Sequence, residues 1–143
     1  MHHDPSDLLA AVSEACGRTP DISSMEGRLT LQRGCYILNS RGCGPFYDYD
    51  VYIRGPYSRE LADDIWVLGE IPSGGTGLPE AEVSVLMGLF RRGPSYVEAY
   101  ATTLLLVRMN PGVARHKIAE RATELKPDLE REVREAFDEI LEQ

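Results

Sequence analysis

Apolar residues recur every three or four positions over most of this chain, and the period drops to two in one place only. Leu8, Val12 and Ala15, with Leu9 and Cys16 beside them, form a stripe at helical spacing. Asp4 is placed as its N-cap, with Pro5 at the first helical position and Asp7 near the positive helix end; Gly17 and Pro20 end it. A second helix is predicted over 24–40, with Leu31, Cys35 and Leu38 on one side and Gln32, Tyr36 and Asn39 on the neighbouring one. Gly34 inside it is unfavourable by about 1 kcal/mol relative to alanine, which points to close packing against another backbone.

The change of period falls between positions 46 and 68. Tyr47, Tyr49, Val51 and Ile53 alternate with Asp48, Asp50 and Tyr52, the pattern of a half-buried strand over 47–53. A lone strand is unstable, so a partner is expected, from 42–46, from 71–76 or from a second subunit. Gly55-Pro56 reads as a turn, because proline confines the residue before it to extended geometry that glycine accepts. Ser58 then caps a helix carrying Leu61, Ile65 and Leu68, with Trp66 beside them.

After a glycine-rich loop over 69–78, Pro79 opens a helix with Val83, Leu86, Met87 and Phe90 that stops at Gly93. The helix from Pro94 to about Met109 is apolar nearly all round and is expected to be the central buried one. Asn110-Pro111 is read as an N-cap and first-turn proline opening a polar helix to about Leu125. Lys126-Pro127-Asp128 breaks that helix. The last one carries Leu129, Val133, Ala136, Phe137, Ile140 and Leu141 among charges. The expectation is a mainly α single domain over 1–143, of six or seven helices, with a small β-hairpin or wing-like β element around residues 46–53.

Length and charge narrow the function. A chain of 143 residues buries roughly 68–70% of its unfolded surface, so it needs neither disulfides nor metal to fold. The longest apolar run, 99–107, is far short of the ~20 residues of a bilayer span. Asp4, Asp7 and Glu14 stand where a signal peptide would be basic and then apolar, so a cytoplasmic protein is expected. Three cysteines, with no C-x-x-C pair, read as reduced thiols. The net charge of −8 opposes non-specific attraction to phosphates. It leaves room for a local patch of Arg28, Arg33, Arg41, Arg54 and Arg59.

Candidate chemistry is sparse. The loop from Gly69 to Thr76 nearly spells a phosphate loop, but Gly75 stands where lysine is needed, and a helix rather than a strand precedes it. Asp48 and Asp50 share a strand face that could meet a cation, yet no further ligand has a recognisable spacing. His2 and His3 are read as lying at a frayed terminus; His116 stands alone among helical charges, and no G-x-S-x-G elbow frames a serine. No enzyme activity, metal or cofactor is expected. The charges from Val113 onward alternate in sign at helical spacing and read as a solvated face. What stands out is the corner after the strand. Tyr36, Tyr52, Arg54, Gly55, Pro56, Tyr57 and Ser58 are the candidate contact set for another protein, arginine and tyrosine being common interface anchors. The competing reading is a winged-helix-like DNA-binding regulator that uses the five arginines as a basic face.

Three segments together resemble a known family. The stretch Arg28-Leu29-Thr30-Leu31-Gln32-Arg33-Gly34-Cys35-Tyr36-Ile37-Leu38 is similar to the R-x-x-LQK-x-x-YLL helix of the YwgA-like proteins, a family of uncharacterised function. The segment around Arg54-Gly55-Pro56-Tyr57-Ser58 resembles that family's GPYS-x-x-L, and 125–136 its closing L-K-P…A. Arg33 replaces the family's usual lysine, and Gly34 and the glycine-rich insert before Pro79 depart from its pattern. More distantly, the helix–strand–GP–helix order resembles the Panacea domain of antitoxins and a proteolysis adaptor. The resemblance implies a module that works by binding other proteins and carries over no catalytic residue; a homodimer is an expectation of the strand pattern, whose partner can come from a second subunit.

Overall fold

The structure, a computed structural model, describes residues 3–72 and 74–142. His2, and Ser73 of the near phosphate loop, lie outside them. The chain is mainly helical, with seven α-helices and one hairpin among the described residues. Helix α1 is Ser6–Cys16 and α2 Met25–Ser40; strands β1 (Asp50–Tyr52) and β2 (Gly55–Tyr57) follow, then α3 (Arg59–Leu68). The rest is α4 (Glu80–Arg91), α5 (Pro94–Met109), α6 (Arg115–Leu125), a 3-10 turn at Pro127–Leu129 and α7 (Glu130–Leu141). No helix of the described residues is long and apolar enough to cross a membrane.

The serine caps read from sequence hold at α2 and α3, whereas at α1 the N-cap position falls on Pro5 and not on Asp4. Asp4 accepts from the Ser6 backbone N–H at 3.0 Å, although α1 proper begins one residue later than expected. The Ser24 and Ser58 hydroxyls accept from the N–H groups of Gly27 and Leu61, three residues on in each case. Helix α5 is buried almost all round and packs against α2, α4, α6, α7 and both strands. Leu8, Leu9, Val12, Leu31, Leu38, Leu86, Val97 and Ala101 form the main core. A second cluster of Ala99, Leu106, Ile118, Ala122, Val133 and Phe137 joins α5, α6 and α7, and Val51 touches both.

Several local expectations are corrected. The partner of the strand is neither 42–46 nor 71–76: it is Gly55–Tyr57, paired antiparallel with Asp50 opposite Tyr57 and Tyr52 opposite Gly55. Proline is tolerated there because both strands of a two-stranded sheet are edges. The strand is therefore shorter than 47–53, and Ile53 sits in the turn, 77% exposed, instead of on the buried face. Asn110 caps the end of α5, its amide donating to the Leu106 carbonyl at 2.9 Å; α6 starts only at Arg115, after Gly112 takes a positive φ of 87°. Gly34 is crowded by a side chain and not by backbone: a Cβ there would lie 2.7 Å from a Val12 methyl. His3 is tied down, its N–H donating to Asp64 and its ring edge-on to Tyr47. Trp66, read as flanking the buried stripe, is 85% exposed.

Candidate functional site

The hairpin turns through Ile53 and Arg54. Neither has a positive φ, and the reversal is completed by Gly55 at φ +113°, as in hairpins that close with a glycine bulge. The positive φ alone calls for glycine here, because an added side-chain carbon would make only ordinary van der Waals contact. A Cβ at position 55 would stand 3.4 Å from the Thr102 hydroxyl and 3.7 Å from Arg33 Nε. Tyr52 and Tyr57 meet edge to face, ring centroids 5.5 Å apart, which stiffens the two strands against each other.

Helix α2 holds this hairpin and the segment before it through one polar face. The Arg33 guanidinium donates to the Arg54 carbonyl from Nε (3.2 Å) and from an Nη (3.0 Å). One residue earlier, Gln32 donates its amide N–H to the Ser58 carbonyl at 2.9 Å and accepts the Ser58 N–H at 2.8 Å, as a neighbouring strand would. So two adjacent side chains of α2 pin the turn and the far end of β2. Asn39, two turns along, donates to the Cys43 and Pro45 carbonyls and accepts from the Tyr47 N–H and the Tyr49 hydroxyl. That is the full capacity of an amide side chain.

Beneath the turn lies a buried ionic group. Arg33 also pairs with Glu98 at 2.8 Å, and the other Glu98 oxygen pairs with Lys126 at 2.7 Å. Both cationic side chains are 5% exposed. Burial pulls the Arg33 pKa down and Glu98 opposes that; a guanidinium stays charged at any physiological pH. The group joins α2, α5 and the α6–α7 junction at one point. Near Asn39, burial raises the Tyr49 phenol, and burial with the hydrogen bond to Asp64 raises that of Tyr47.

The structure divides the candidate contact set. Tyr52 and Arg54 are exposed and Tyr57 is half-buried, whereas Tyr36, Gly55, Pro56 and Ser58 are buried and shape the corner from within. The arginines are dispersed. Arg33 is 4% exposed and turned inward, Arg41 pairs with Glu82, and Arg59 pairs with Asp63. Arg28 donates to the Ile22 carbonyl near the start of α2, roughly 20 Å along the helix from Arg41 at 1.5 Å per residue. Sequence reasoning missed Glu98, Lys126 and Ile53. Glu98 left a signal, being the one acid in a largely apolar helix whose only other charge is Arg108; Lys126 and Ile53 left none. Among the described residues no group of three or more histidine, cysteine or acidic side chains is placed to hold a metal. No protein-family model, curated protein or solved structure matches the chain.

Proposed function

We propose that this protein is a regulatory or protein-interaction module of antitoxin or adaptor type, acting in the cytoplasm, and that it contacts its partner through the tip of the hairpin. One observation carries the reading: an exposed apolar tip stands on an internally clamped base. Tyr52 is 52% exposed and Ile53 77%, with the Arg54 guanidinium beside them. Leaving isoleucine in water forgoes about 1.5–3 kcal/mol of burial that a partner surface would recover. A tip already fixed by Arg33 and Gln32 loses little further conformational freedom on binding, which is where preorganisation raises affinity. The likeness of the helix–strand–GP–helix order to protein-binding Panacea domains points the same way.

The test is affinity capture from native lysate with the full chain, beside Ile53→Asp and Arg54→Glu. Both side chains are exposed, so folding should survive, as circular dichroism will check. The reading expects a specific partner whose retention falls at least about tenfold in either variant, as for an interface anchor. No partner, or one held equally by all three proteins, refutes it.

A further inference from the structure

Glycine is the poorest helix former after proline, and its place in α2 has a packing cause. A Cβ at Gly27 would meet the Asp21 backbone, and one at Gly34 would meet Val12. In α4, Gly88 has no such cause: a Cβ there meets nothing within 4 Å. What the missing side chain does is leave the α4 backbone bare along a cleft of about 420 Å³ lined by Ser84, Val85, Leu89, Arg92, Tyr100 and Glu139. At Arg41 and Tyr100, which belong to both, this cleft meets a second of about 230 Å³ that adds Ser40, Leu104 and Arg108.

The two ends differ in charge. Glu139 is engaged by Arg92 and by the Tyr96 hydroxyl, and Arg92 also pairs with Glu135. Arg41 is matched by Glu82. Arg108 has no carboxylate partner among the described residues; one of its N–H groups donates to the Ser40 carbonyl at 3.0 Å. A guanidinium carries five donors. The Tyr36 phenol oxygen, which has no hydrogen-bond partner among the described residues, lines neither cleft and is 5% exposed. Among the described residues no acid lines this second cleft, although Glu82 pairs with its Arg41, in a chain whose net charge is −8.

We propose that the joined clefts bind a small phosphorylated molecule, its phosphate at Arg108 and Arg41 and its apolar body over Gly88. The N–H groups of Arg108 and Arg41 that are not already engaged by Ser40 and Glu82 offer donors for the three terminal oxygens of a phosphate monoester. Val85, Leu89, Leu104 and the bare helix backbone suit a flat apolar group. The site stands apart from the hairpin contact, and either can fail alone.

The probes are phenyl phosphate, inorganic phosphate, benzoate and phenol, titrated into the full-length protein at low salt and followed by amide NMR shifts. Saturable phenyl phosphate binding is expected, with shifts at Gly88 and Arg41, at least about tenfold tighter than inorganic phosphate or benzoate. Phenol should not bind. Arg108→Gln should weaken phenyl phosphate about tenfold, and Gly88→Phe should block it while leaving the urea midpoint near wild type. Gly88→Leu, a better helix former, provides the same steric test should the phenylalanine variant fold poorly. The proposal is overturned by no saturation up to about 10 mM, by benzoate binding as tightly, or by binding indifferent to the substitutions.

Discussion

Replacing Glu98 by glutamine preserves shape and removes one charge from beneath the hairpin. At an effective dielectric of 20, a carboxylate 2.8 Å from Arg33 and 2.7 Å from Lys126 attracts each by roughly 6 kcal/mol. Repulsion between the two cations and the desolvation of all three ions offset most of that gain. In Glu98→Gln the attraction goes, while the repulsion and the desolvation of two buried cations remain. Removing one partner of a buried pair typically costs about 3–5 kcal/mol. Glu98 is 22% exposed, so water relieves part of this, and about 3 kcal/mol is expected. Urea unfolding should show it as a lower midpoint at unchanged slope. Adding Lys126→Met returns the buried group from two net positive charges to the wild-type one, and should restore about 1–2 kcal/mol. Amides of 50–55 and 57 should exchange faster in the single variant, because Arg33 both pairs with Glu98 and holds the Arg54 carbonyl. A loss below about 1 kcal/mol, or a double variant as unstable as the sum of the singles, refutes the account.

Two further outcomes follow from packing and burial. Gly34→Ala drives a Cβ to within 2.7 Å of Val12, and should destabilise by about 1–3 kcal/mol. Coupled with Val12→Ala it should cost at least about 1 kcal/mol less than the two changes summed, and strict additivity counts against the contact. Burial pushes the Cys35 thiol up to about 12 and also raises the phenols of Tyr36, Tyr47 and Tyr49. Each group then holds its proton more tightly folded than unfolded. The stability they add is complete below the unfolded values, 9.0 for the thiol and 10.0 for the phenols, and is lost as pH rises past them. Urea midpoints should fall progressively above pH 9, each group adding up to about 1.4 kcal/mol per unit. A midpoint at pH 11 equal to that at pH 8 would show these groups to be solvated.

The sequence by itself determined the helices, because amphipathic period and capping residues are local. Ser24 and Ser58 cap where they were expected to, and the apolar stretch after Pro94 became the central helix. It also set Gln32, Tyr36 and Asn39 on one side of α2, but it placed the turn at Gly55-Pro56, where the structure has strand β2 and turns instead through Ile53 and Arg54. Local pattern could not tell which neighbour that side would meet. Alternation over 47–53 outran the true strand, since a turn two residues earlier suits the glycine at 55 and lets proline pair on an edge. Asn110-Pro111 resembles a helix start as much as a helix end, and only Gly112 and the packing of α5 separate the two. Tertiary structure alone decided that Arg33, Glu98 and Lys126 share one buried point, that Ile53 stands in water, and that Gly88 lines a cleft. Contacts between residues dozens of positions apart depend on how helices cross, and crossing is set by the shape of the whole packed interior, which no window along the chain contains.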